Sequence, residues 1–210
     1  ARQPDVHQQL ERLLAVVEAL KARRLLVSDE SYYPEVLETC AKAGADIFNL
    51  TGTLYGEDIF KLAATYGTAV ILCYVQGPTV RQVDDFRFHD DMIAEIGPYS
   101  RDVTAQAARC GGTKCFIDPG LGFYYNNLQD SRLRINYQLN TFVHCFRLHE
   151  LGYPTFNILP HAPEIFLEDE RRAAEPFFSV LALLGGTHVI RSHEVRTVHR
   201  IRQVLDLYES

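Results

Sequence analysis

The chain is short of positive charge. Of its 210 residues, 21 are Lys or Arg and 27 are Asp or Glu, a formal net charge of -6. It lacks the broad basic field that nucleic-acid binding needs, so no nucleic-acid partner is expected. Long apolar runs are missing too. Thr68 to Val75, among the longest, is far too short to span a bilayer, so no membrane partner is expected. Ala1 to Gln9 is polar and does not read as a secretory signal, which makes a cytoplasmic location the expectation. The five cysteines, Cys40, Cys73, Cys110, Cys115 and Cys145, show neither zinc-ligand spacing nor a redox CxxC. They read as buried or incidental thiols in a reducing compartment. There is no GxGxxG and no GxxxxGK[ST], which weakens a nucleotide-binding sheet. No fixed-period repeat and no low-complexity linker interrupts the chain, so residues 1–210 read as a single domain. Hydrophobic residues at 47% and charged residues at 23% exclude a disordered chain.

What is present is alternation. Leu13, Leu14, Val16, Val17 and Leu20 mark one face of a leading helix. Arg24 to Ser28 reads as a buried strand, and Pro34 starts a helix where a missing N–H costs little. Strands are predicted at Asp46 to Leu50, Ala69 to Val75, Lys114 to Ile117, Thr155 to Leu159 and His188 to Arg191. Helices follow at Asp58 to Tyr66, Phe88 to Arg109, Ser131 to Leu151, Glu170 to Leu184 and Val195 to Leu207. Interruptions are expected near Gly97-Pro98 and at Pro176. Apolar strands joined by helical crossovers indicate an α/β protein with a parallel sheet covered on both faces. An open doubly wound sheet and part of an eight-stranded barrel both fit.

Polar residues gather at the C-terminal strand ends: Asp29-Glu30, Asn49, Asp118, His161, and Arg191 with His193. In a parallel barrel those ends converge on the face where sites form. One such carboxylate is ordinarily a cap or turn former, but recurrence on five strands asks for more than capping. In Asp118-Pro119-Gly120-Leu121-Gly122-Phe123, the proline and glycines let the backbone turn sharply and approach a ligand. In Arg191-Ser192-His193-Glu194-Val195, alternation puts the guanidinium and the imidazole on one side, a pair suited to phosphate or carboxylate. The alternative is an arginine paired with Glu194 or Asp118.

Taken together, these residues resemble the pterin-binding barrel family, and within it the dihydropteroate synthases. Ser28 to Asn49 matches without a gap, with Pro34-Glu35-Val36, Ala41-Lys42, Gly44-Ala45 and Asn49 in place. Val70 to Gly77 resembles the family's fifth strand, Asp90-Asp91 the acidic start of the next helix, and Asp118 to Phe123 its Asp-Pro-Gly-x-Gly-Phe motif. Arg191 to Val195 resembles its terminal Arg-Val-His-Asp-Val.

The resemblance implies a TIM-barrel type (β/α)8 fold, of which this chain carries about six strand–helix units. It also implies a pterin held at the C-terminal strand ends by Glu30, Asn49 and Asp118, with Cys73 and His161 beside them. Arg191 and His193 would hold a departing pyrophosphate. The register puts Glu30 where the family has aspartate. Asp29 takes that place only if the strand slips by one residue, which turns it to the other face. Pro160-His161-Ala162 stands where the synthases carry Ser-Arg-Lys, Tyr124-Tyr125 where many have Gly-Lys, and Tyr74 where histidine is usual. Two further strands and an Asn-x-Thr-Pro segment are expected upstream of the leading helix, so the domain reads as N-terminally incomplete. Mg2+ with the pyrophosphate and a homodimer are implied as well. The implied activity joins p-aminobenzoate to a pterin pyrophosphate. The alternatives are a non-catalytic pterin-binding homologue or supporting subunit, and a methyltetrahydrofolate-dependent corrinoid methyltransferase.

Overall fold

The architecture follows from short apolar strands, each handing over to a helix. In a computed structural model, the structure describes residues 5–53, 56–80, 82–83, 86–112, 114–123, 125, 130–159, 165–166 and 170–209, the side chains of 131, 171, 172 and 209 aside. Among the described residues there are six strands and seven α-helices. Helix α1 (Val6–Ala22) opens on a capping box, in which the Asp5 carboxylate accepts from the Gln8 backbone at 2.9 Å. Strand β1 (Ser28–Asp29), α2 (Pro34–Lys42), β2 (Ile47–Leu50), α3 (Glu57–Tyr66) and β3 (Ala69–Cys73) follow. Then come α4 (Met92–Arg109), β4 (Cys115–Asp118), α5 (Ser131–His144), β5 (Phe156–Ile158), α6 (Arg171–Leu184), β6 (Val189–Arg191) and α7 (Val195–Glu209).

Three local expectations are corrected. The strand expected over Arg24 to Ser28 survives only at its last residue, because Arg24 turns left-handed at φ 59° as α1 closes. The Val27 amide then donates to the Asp46 carboxylate at 2.8 Å, and Lys21 pairs with that carboxylate at 2.8 Å. Neither Pro98 nor Pro176 breaks its helix. Each removes one backbone bond, but Ile96 and Val103 are buried around Pro98, and Ala174 and Phe178 around Pro176, so packing outweighs the loss. The long helix expected to reach Leu151 tightens instead to a 3-10 segment at Cys145–Leu151, just after the His144 ring donates to the Asn140 carbonyl at 2.7 Å. It ends at Gly152 in the left-handed conformation.

Strands β1 to β4 form one parallel sheet in chain order, and β5 pairs in parallel with β6. A parallel bridge between Ile117 and Thr155 joins the two sheets. Residues of all six strands line one cavity, so the wall curves around an interior in the manner of a TIM-type α/β barrel. Register fixes the faces. Phe48, Val70 and Cys115 stand side by side, as do Leu50, Leu72 and Ile117. Most of these pack against Ile59, Phe60 and Ala63 of α3 and Val103 and Ala107 of α4. Phe48, fully buried, contributes roughly 1.5–3 kcal/mol by leaving water. A second core joins Ile117 to Phe142, Leu148 and Phe178. Four of the cysteines lie buried in these layers, and all five are unpaired.

Candidate functional site

Alternation turns the intervening residues inward. Asn49 stands beside Ile71, Ile71 beside Phe116, and Cys73 beside Asp118. Because Asp29 pairs with Phe48, it shares the helix-facing side, and Glu30 continues the inward row of Ser28. Asp29 is therefore placed against α2. Its buried carboxyl makes no well-formed hydrogen bond, although the Cys40 thiol lies near enough to act on it. Burial pushes it up to about 7.

Glu30, Asn49 and Arg191 line one cavity of about 460 Å³, together with Ile71, Phe116 and Phe156, and Asp29 borders it as well, although its register directs the carboxyl towards α2. The Thr51 hydroxyl donates to Glu30 Oε1 at 2.9 Å and lies 2.6 Å from the Tyr32 hydroxyl. Asn49 is buried, and its Oδ1 accepts no hydrogen bond among the described residues. Asp118, at the end of β4, is 0% exposed. Its Oδ1 accepts from the Gly120 amide at 2.8 Å, while among the described residues Oδ2 has no well-formed hydrogen bond. Burial raises the Asp118 carboxyl to about 7, against the opposing pull of the Gly120 amide, the Cys73 thiol and the Arg191 charge. The Cys73 thiol donates to the Tyr74 carbonyl at 3.6 Å, and burial beside Asp118 pushes it well above the usual thiol range. Gly120 makes the turn possible. Its φ is +78°, and a Cβ there would sit 2.2 Å from the Tyr74 carbonyl oxygen.

The terminal motif is held by a residue the sequence reading did not select. Glu175, in the apolar stretch of α6, is 1% exposed. Its Oε1 lies 2.7 Å from His193 Nδ1, and its Oε2 accepts from the His193 amide at 2.7 Å and the Glu194 amide at 3.3 Å. The Ser192 hydroxyl bonds to the same oxygen. Burial pushes the Glu175 carboxyl up, but these donors outweigh it and hold the group below its ordinary range. The one sequence signal was an acid between Ala174 and Pro176 in a run that is otherwise apolar.

The structure thus brings Glu30, Asn49 and Arg191 to one cavity. It places Asp118 and Cys73 on the same inward face, and sets His193 two residues past Arg191 against α6. His161 lies outside the described residues. Asp91, in the acidic segment noted before α4, caps that helix by accepting from the Ala94 amide at 3.1 Å. Among the described residues, no group of three or more His, Cys, Asp or Glu side chains is arranged to hold a metal ion. Among them, too, no helix is long and apolar enough to cross a membrane.

Fold and cavity define the class: a parallel α/β protein of the TIM-barrel type, with polar side chains gathered on the inward face of its strands. Its sequence then places it within that class. The chain belongs to the pterin-binding enzyme family, whose pattern matches residues 1–193, and it is a pterin-binding domain related to dihydropteroate synthase. It is 29% identical over 213 residues to the dihydropteroate synthase of Escherichia coli K12, covering 97% of this chain and 72% of that protein. The solved dihydropteroate synthase of Stenotrophomonas maltophilia superposes with a TM-score of 0.83 at 24% identity, over 99% of this chain and 78% of that one. That of Xanthomonas albilineans, solved with 4-aminobenzoic acid, gives 0.82 at 24% identity, over 100% and 75%.

Proposed function

We propose that the protein joins p-aminobenzoate to a pterin pyrophosphate. The observation that carries this reading is the pair of buried acceptors, Asn49 Oδ1 and Asp118 Oδ2, which have no well-formed hydrogen bond among the described residues and lie on the inward face that Glu30 extends. An unmet buried acceptor costs about 1–3 kcal/mol, which a ligand N–H recovers. The aminopyrimidinone edge of a pterin carries adjacent N–H donors that suit this row.

In the reaction, the aromatic amine attacks the pterin methylene carbon, the carbon–oxygen bond to pyrophosphate breaks, and the amine gives up a proton. Glu30, Asn49 and Asp118 orient the ring, which is the larger part of the work in a displacement between two bound substrates. Arg191, at the end of β6, and His193 stabilise the charge that builds on the departing pyrophosphate. Magnesium, implied by the family, would come as a companion of the pyrophosphate and would offset part of its charge. The X. albilineans synthase has been solved with 4-aminobenzoic acid and with 7,8-dihydropteroate, which supports the choice of second substrate. A homodimer belongs to the same reading, supported by apolar side chains exposed along α6 and α7, among them Phe177, Leu184, Val204 and Leu207. Five unpaired thiols support a reducing, cytoplasmic setting.

Calorimetric titration with a pterin pyrophosphate, followed by incubation with labelled p-aminobenzoate, tests the proposal. Binding with formation of labelled dihydropteroate is expected. Binding without product would make the protein a non-catalytic pterin binder. Methyl transfer from a methylated folate to a corrinoid protein would assign it to the methyltransferase branch. Absence of pterin binding would overturn the reading.

A further inference from the structure

The terminal motif is clamped from behind. Glu175 lies in α6, on a different element from the Arg191-Ser192-His193 segment, and its two oxygens divide the task. Oε2 accepts the backbone amides of His193 and Glu194 at the entry to α7, as a helix cap does. Oε1 accepts instead from the imidazole, 2.7 Å from Nδ1. Capping explains the first oxygen and leaves the second unexplained.

We infer that Glu175 is a positioning residue that holds His193 in the Nδ1–H form with Nε2 turned to the ligand side, so that the imidazole presents one defined nitrogen to a diphosphate. An ionised carboxylate only accepts, so the hydrogen on that bond sits on Nδ1. A ring flipped by half a turn would set a carbon against a buried charge, at the cost of a charge-assisted bond. The acid is 1% exposed while the His193 side chain is 67% exposed, so the ring stands between the carboxylate and solvent. In that form Nε2 accepts from a protonated oxygen of the diphosphate, and the ring keeps the anion from the carboxylate. Towards the ligand Glu175 acts through His193, apart from the capping done by its other oxygen.

The diphosphate part of this inference rests on the proposed function; control of the ring does not, and two measurements keep them apart. The first is the His193 tautomer, read from its ring 15N shifts in the free protein. Nδ1–H is expected in the wild type, and a different ring population in Glu175→Gln. The second is a double-mutant cycle with inorganic diphosphate as the probe. Glu175→Gln should weaken diphosphate binding about tenfold, the size of one charge-assisted hydrogen bond. In a His193→Ala background the same change should shift affinity less than about twofold, because nothing is left to position. Pterin affinity should stay unchanged in Glu175→Gln.

An Nε2–H tautomer in the wild type would overturn the inference. So would an equal loss in both backgrounds, which is what a purely structural cap produces. If diphosphate fails to bind the wild type at all, the anion half of the proposed function falls, and the ring shifts still decide whether Glu175 controls His193.

Discussion

Replacing Asp29 by valine should stabilise the protein, and increasingly so as pH rises. Asp29 is 4% exposed, faces α2 and lacks a well-formed hydrogen bond at either oxygen. Its neighbours Val27, Val36 and Cys40 belong to a small apolar cluster under α1 and α2. Burial raises its carboxyl from 3.8 to about 7. The folded-state value lies above the unfolded one, so folding favours the neutral acid. Stability is undiminished below the unfolded value, falls as pH climbs from 3.8 towards about 7, and stays low above that. The full difference is worth about 4 kcal/mol, and about 2 kcal/mol is already lost at pH 5. Valine has nearly the shape of aspartate and suits a strand position beside Phe48. The variant should therefore gain about 4 kcal/mol at pH 8, roughly 10 °C in Tm for a chain of this size. Asp118 titrates with the same sign in both proteins and cancels from the difference. Urea unfolding at pH 5, 6.5 and 8 provides the check, followed by the fluorescence of the 11 tyrosines in a chain without tryptophan. Stability curves that run parallel in pH for the two proteins would refute the reasoning, because the gain would then owe nothing to ionisation.

Asp118→Asn should lower pterin affinity by about 1.5–3 kcal/mol, since the amide can still accept from Gly120 but presents a donor to a donating ligand, and should stabilise the fold increasingly as pH climbs from 3.8 towards about 7, because a carboxyl raised by burial is removed as at Asp29; calorimetry and thermal melts separate the two effects. In the wild type the same carboxyl is raised to about 7, so pterin affinity should grow as pH passes upward through 7 and the accepting carboxylate forms; a flat profile between pH 6 and 8 would contradict that. Gly120→Ala should cost more than about 2 kcal/mol, since φ is +78° and the added methyl meets the Tyr74 carbonyl at 2.2 Å; denaturant unfolding tests it. Arg191→Ala should abolish binding of inorganic diphosphate, because an anion binds an acidic protein only where local positive charge offsets the overall field; unchanged binding would make the terminal motif structural.

Much of the architecture was legible because its causes are local. Apolar runs bounded by Gly67, Gly152 and the Asp118-Pro119-Gly120 turn locate strands and helices without reference to distant residues. Side-chain alternation does the same for faces. Asn49 and Asp118 fall on the inward row, and Glu30 and Asp29 must point to opposite sides whatever the register. The proline expectations went wrong for the same reason. Helix propensity is a local quantity, and at Pro98 and Pro176 burial of the neighbouring side chains overrode it.

The sequence by itself determined which residue types arrive at the strand ends, and in what order, since that depends on periodicity of two along each strand and on turn chemistry between elements. Only the tertiary structure decided which of them meet. Glu175 and His193 are 18 residues apart on different elements, and no spacing rule links them. The helix-facing burial of Asp29 depends on α2 packing across β1. That Asn49 Oδ1 and Asp118 Oδ2 find no well-formed hydrogen bond among the described residues depends on how the other strands are placed around them. Contacts and desolvation are properties of the assembled layers, and a one-dimensional pattern carries them only where neighbours in the chain are also neighbours in space.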